Sequence, residues 1–223
     1  MKGGNKALEE KKFRKVILHV GLHKTATSSI QTTLYAEKNN KLLEKRGYLY
    51  PKCWSPNHSI PIYSSFCDHP EKYHINIVNG YNKNEIKRIN KQYLDNLKTE
   101  IARRQQSKLF ISGEDISELS LNNLQTLKEF IMSMSSKDVT IQVIIYVRNP
   151  ISWSASSIQQ SIKGGLSYQK SLANKRIIMK NLFISKIDKF QQVFGKEYTK
   201  VFRFEEAIEH KYGPVGHLLS ALG

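Results

Sequence analysis

Four short apolar runs constrain this chain more than any other feature: KVILHV (15–20), KLFISG (108–113), TIQVIIYV (140–147) and TKVFRF (199–204). A strand with one wet face alternates apolar and polar residues, whereas a strand covered on both faces does not. These runs therefore read as strands of a parallel sheet packed between helices. The stretches 28–46, 84–106, 121–135, 152–163 and 176–194 carry helical patterning. Alternation of strand and helix predicts an α/β fold, an open, mainly parallel sheet with helices on both faces and right-handed crossovers. A chain of 223 residues suits one core. A single domain is expected over 15–223, after a flexible or helical lead-in at 1–14 that lacks the apolar stretch of a signal peptide. Region 47–82, opening GYLYPKCWSPNHSIPIYSSFCDHPEKYH, is rich in Pro, Ser and aromatics and has no helical period. It reads as a long ordered excursion over the sheet that builds a substrate wall.

Charge narrows the partners. Lys and Arg total 35 against 19 acidic residues, a net +16, which favours polyanions: nucleic acid, anionic glycan or a multiply charged nucleotide. The basic residues are spread along helix-like segments, with no RNA-binding aromatic signature, zinc finger or basic zipper, so no specific nucleic-acid partner is expected. No apolar run approaches the roughly 18 residues of a membrane span. Two cysteines fit a reducing compartment, and a cytoplasmic location is expected. Cys53, His58, Cys67, His69 and His74 match no zinc-ligand spacing, and no metal is expected.

In ILHVGLHKTATSSIQ (17–31) a buried strand runs into a lysine-centred loop and then a helix. Backbone amides at a helix start attract anions, and Lys24 adds a full positive charge. Thr25, Thr27, Ser28 and Ser29 add hydroxyls. An ATP-type loop, G-x-x-x-x-G-K-[ST], counted from Gly21, needs glycine at 26 and lysine at 27. The chain has Ala26 and Thr27 there, with its lysine at 24. A second polar strand end, YVRNPISWSASSIQQS, places Arg148 at the terminus, Pro150 in the first helical turn and Ser156 two turns into the helix. An arginine fork with a hydroxyl is a receptor for a terminal phosphate. A third strand end, FISGED, places Glu114 beside the lysine loop. Asp115 and Ser117 suit the cap of the next helix.

The lysine loop resembles the 5′-phosphosulfate loop of sulfotransferases, K-[TS]-[GA]-[TS]-[TS]. R-N-P with a serine eight residues after the arginine resembles their 3′-phosphate loop. Ser112-Gly113-Glu114 is similar to the serine-glutamate pair of bacterial carbohydrate-type members. The resemblance implies a fold related to P-loop nucleotide kinases and a sulfuryl donor, 3′-phosphoadenosine 5′-phosphosulfate (PAPS). It implies donor contacts from His23, Lys24, Thr25, Ala26, Thr27, Ser28 and Ser29 at the 5′ end, and from Arg148 and Ser156 at the 3′-phosphate. Lys24 would stabilise the leaving oxygen. Glu114 is the expected base for the acceptor, and His58 the rival, since its ordinary pKa suits proton transfer at neutral pH. Many members carry another basic residue in the second loop, where this chain has Trp153. The acceptor expected is a hydroxyl or amine of a glycan or small metabolite. Two other readings stand beside this one: a P-loop-type small-molecule kinase and a non-catalytic polyanion-binding module. The sequence leaves oligomeric state open.

Overall fold

A computed structural model describes residues 13–172 and 183–222. Its sheet has five parallel strands, β1 (Phe13–Gly21), β2 (Tyr48–Leu49), β3 (Lys108–Ser112), β4 (Ser135–Val147) and β5 (Thr199–Arg203), in the order β2-β3-β1-β4-β5. The four apolar runs are four of these strands. The fifth, β2, is two residues inside GYLY, too short to show a period. Of the expected lead-in over 1–14, residues 1–12 lie outside the described residues and 13–14 belong to β1.

The helical stretches need sharper boundaries. Expected helix 28–46 is two: α1 (Thr27–Tyr35) and α2 (Glu37–Lys45), broken at Ala36, whose ψ of 134° is extended. The break is held by side chains, Asn39 Nδ2 donating to Thr33 O at 2.8 Å and Asn40 Nδ2 to Tyr50 O at 3.2 Å. Region 47–82 does contain helix, contrary to expectation: α3 (Ser59–Phe66), a 3₁₀ turn (Pro70–Lys72) and α4 (His74–Val78). Pro61 obscured α3 in the sequence, yet it sits in the first turn, where its missing N–H has no helical acceptor to lose. Next come α5 (Lys83–Ala102), opened by an Asn82/Glu85 capping box, and α6 (Leu121–Ser133). The cap of α6 is Ser120, which accepts from Asn123 N, and not Asp115 or Ser117. The chain continues through α7 (Pro150–Lys163), α8 (Ile184–Phe194), α9 (Phe204–Glu209) and α10 (Gly213–Leu222). Of the helix expected over 176–194, residues 176–182 lie outside the described residues.

Both faces of the sheet are covered along β1, β3 and the second half of β4, as their unalternating runs require, whereas edge strand β5 keeps Lys200, Val201 and Arg203 exposed. Val16, Leu18 and Val20 of β1 pack toward α3, α5, α6 and α8, while Ile17 packs toward α1, α2, α9 and α10. From β1 the chain moves outward to β2, and from β4 it moves outward the other way to β5. The carboxyl ends of β1 and β4 therefore flank a topological switch point, where open α/β sheets bind ligands. Direct pairing, Gly21 opposite Tyr146, brings the two loops that follow these strands side by side.

Two histidines close to this crevice are wholly buried, His19 and His58. Burial pushes the first down to about 4 and the second down to about 3, so both are neutral in the fold. Below the unfolded value of about 6.5 the unfolded chain binds protons that the fold refuses, so stability present above that pH is lost as pH falls toward 4. The slope is at most about 1.4 kcal/mol per pH unit for each histidine. Urea unfolding should show a lower midpoint at pH 5 than at pH 7. An unchanged midpoint would contradict the buried neutral state.

Candidate active site

The lysine loop is built on unusual backbone. A Cβ at Gly21 would lie 2.1 Å from Thr27 Oγ1, so the turn out of β1 closes only around glycine. Lys24 (φ 74°) and Ala26 (φ 58°) are the non-glycine residues with positive φ among the described residues. Each costs about 1–2 kcal/mol in that region. Left-handed residues interspersed in a loop are the kind of backbone that can gather successive N–H groups into an anion nest. Thr25 Oγ1 ties the loop back to Leu22 O at 2.6 Å, and Thr27 is buried. No side chain caps α1 and no acidic residue occupies its first turn, leaving the positive end of the helix to an anion. Ser28 and Ser29 are exposed there.

The Arg148 loop is fastened to it. Arg148 Nη1 donates to Lys24 O at 3.0 Å and Nε to Ser152 Oγ at 3.1 Å, with the guanidinium 5.3 Å from the Phe204 ring centre. A guanidinium has five N–H donors, so these two bonds leave others for a ligand. Asn149 caps α7 by accepting from Ile151 N. Trp153, buried on the same helix, donates from Nε1 to His23 O at 2.9 Å. Ser156 is half-buried on α7; the serine that braces Arg148 is Ser152, one turn earlier. Its i,i+4 spacing from Arg148 was the available signal.

Ser112 organises the third strand end. Its N–H donates to His58 Nδ1 (3.2 Å), its carbonyl accepts from Gln31 Nε2 (3.2 Å) and its hydroxyl lies 2.8 Å from His19 Nδ1. At Gly113 a Cβ would lie 2.8 Å from Ser59 N, so only glycine lets β3 pass this close to α3. Glu114 then meets the lysine loop, its Oε2 3.4 Å from His23 Nδ1. Asp115 and Glu118 reach the same imidazole, at 3.7 and 3.8 Å. Asp115, read in the sequence as a helix-cap candidate, thus joins the cluster, and it accepts from Tyr73 OH at 2.6 Å. Lys186 pairs with Glu118. Hydrogen bonding to Glu114, reinforced by the three negative charges, raises the His23 pKa despite partial burial. His23 therefore faces the carboxylates. One ligand atom each from His23, Glu114 and Asp115 lie within 4.8 Å of one another, a set that could hold a cation.

His58, the rival base, lies against the Tyr50 and Trp54 rings, 4.4 and 5.4 Å between centres, with no exposed surface. Its Nδ1 is occupied by the Ser112 amide.

No protein-family model matches the chain, and no curated protein matches it in sequence. Solved structures do. A sulfotransferase from Alicyclobacillus acidocaldarius superposes with a TM-score of 0.57 at 16% identity, covering 94% of this chain and 80% of that one. The sulfotransferase domain from the curacin biosynthetic pathway matches with a TM-score of 0.47 at 12% identity, over 95% and 74% of the two chains. The chain therefore has the α/β fold of the sulfotransferases, and at this identity the likeness is one of fold.

The His23 contacts predict a pH signature opposite to that of the buried histidines. A raised folded pKa makes the imidazolium's contribution complete below about 6.5 and lost as pH climbs through the raised value. Melting curves of the wild type and His23→Gln should differ most at acid pH and converge at alkaline pH. A gap that is constant or widens with pH would contradict the cluster.

Proposed function

We propose that this chain is a sulfotransferase that moves a sulfuryl group from PAPS to a hydroxyl or amine of a glycan or small metabolite. The observation that carries this reading is the joining of two anion receptors across one crevice. A lysine held left-handed at the start of α1 is hydrogen-bonded through its carbonyl to an arginine at the neighbouring strand end. The donor has an anionic group at each of two ribose positions, and this residue set fits that chemistry. The α1 amides and Lys24 would hold the 5′ end, with Thr25, Thr27, Ser28 and Ser29 around it. Arg148 and Ser156 would hold the 3′-phosphate. When bound, the donor supplies the sulfuryl group.

The chain's own residues supply charge and a base. Lys24 Nζ offers a positive charge where the leaving phosphate oxygen becomes negative, the kind of stabilisation that contributes most when prearranged. Glu114 takes the proton of the acceptor oxygen, and His23 orients its carboxylate. We assign the base role to Glu114 over His58 because Glu114 is partly exposed at the crevice while His58 is buried and neutral. Ser59 and Tyr73, from the 47–82 excursion, both bond Asp115, which supports an acceptor wall on the Glu114 side. Among the described residues no helix is long and apolar enough to cross a membrane. Two free cysteines suit the cytoplasm.

Adenosine 3′,5′-bisphosphate at a hundredfold excess over its Kd should raise the melting temperature by about 5–10 °C, well beyond AMP or ATP. A larger shift with ATP would favour a kinase. Indifference to all three nucleotides, with steeply salt-dependent heparin binding, would favour a polyanion-binding module. With labelled donor and a hydroxyl acceptor, Glu114→Gln should cut turnover about 10²–10⁴-fold while leaving bisphosphate binding unchanged. Turnover within about tenfold of wild type would mean another base.

A further inference from the structure

We infer that Trp153 is a positioning residue for Lys24, gripping the peptide plane that precedes it. The inference rests on the proposed role of Lys24 at the 5′ end of the donor. The direction in which the Lys24 side chain leaves the backbone, its Cα–Cβ bond, is set by the two peptide planes flanking its Cα. The plane before it carries the His23 carbonyl, which accepts from Trp153 Nε1 at 2.9 Å. The plane after it carries the Lys24 carbonyl, which accepts from Arg148 Nη1 at 3.0 Å.

Both donors come from one short stretch of chain, the end of β4 and the first turn of α7. That stretch is itself braced by the Asn149 cap and by the Ser152 contact to Arg148. An L-residue at φ 74° relaxes out of the left-handed region unless its surroundings over-determine it. Here one grip fixes each side. The indole N–H is a donor only, and left unpaired in its buried site it would carry a desolvation penalty, so the bond to the loop is strongly favoured. Arg148 combines two tasks, receiving an anion and gripping the second plane. Trp153 brings no charge of its own. Its effect should therefore fall on the 5′ end of a nucleotide and leave the 3′ end alone.

Calorimetry with 5′-AMP and 3′-AMP separates these ends. Trp153→Phe keeps an aromatic ring in the buried site beside Phe183, 6.1 Å away between centres, and removes the N–H donor together with the indole's second ring; the comparison of 5′- with 3′-AMP separates the loss of the donor from a general packing loss. The variant should weaken 5′-AMP about three- to tenfold, the size of one neutral hydrogen bond, and leave 3′-AMP within about twofold. No loss for 5′-AMP, or an equal loss for both nucleotides, would overturn the inference alone. A wild-type chain that binds neither nucleotide would overturn the proposed function and this inference with it. A measurement on the unmutated protein guards against a variant that does not fold. The chain has two tryptophans, and the indole of Trp54 donates to Tyr93 O, away from the loop, at 3.0 Å. In nitrogen-15-labelled protein, saturating 5′-AMP should move the Trp153 indole signal and leave that of Trp54 in place. A stationary Trp153 signal would overturn the proposal.

Discussion

The pairing of β1 with β4 is the constraint on which the candidate site depends. It sets the Lys24 loop beside the Arg148 loop although the residues are 124 positions apart, and it does so at the sheet's switch point, where neither loop is covered by a crossover. Everything polar in the site is then local. Gly21 turns the chain, Lys24 and Ala26 take left-handed backbone, and α1 begins without a side-chain cap. Backbone of this kind is costly, and Arg148, just before α7, and Trp153, in its first turn, donate to the carbonyls on either side of Lys24.

Charge is distributed unevenly across the crevice. Lys24 and Arg148 are joined through the Lys24 carbonyl. Next to Lys24 in the same loop, His23 is surrounded by Glu114, Asp115 and Glu118. A net charge of +16 favours polyanions in general, but the acidic cluster beside the loop sets carboxylates next to the cationic groups. Under the proposed function, that arrangement would suit a transfer in which one oxygen gains negative charge as another loses a proton.

The sequence was most informative where a residue acts through its type and spacing. Strands covered on both faces are apolar in a continuous run, so β1, β3 and the end of β4 were legible, and β5 was legible from its place in the alternation although its edge is exposed; β2 was too short to leave a pattern. The lysine at 24 and the R-N-P at 148 could be read because they follow legible strands. Other features have no local signature. The left-handed φ of Lys24 is invisible in a residue that ordinarily avoids it. The Trp153 bond runs to a backbone carbonyl 130 residues away, and carbonyls are the same in every residue. His58 looked like a base because its exposure could not be read; burial makes it a neutral acceptor for the Ser112 amide. Pro61 suggested loop where a helix starts.

The central claim is that one nucleotide spans the two loops. A crystal structure of the chain with adenosine 3′,5′-bisphosphate tests it most directly. The account predicts the 5′-phosphate in the nest at the start of α1, facing Lys24, and the 3′-phosphate against the Arg148 guanidinium. A nucleotide lying with its phosphates reversed, or bound away from the β1–β4 crevice, would contradict it.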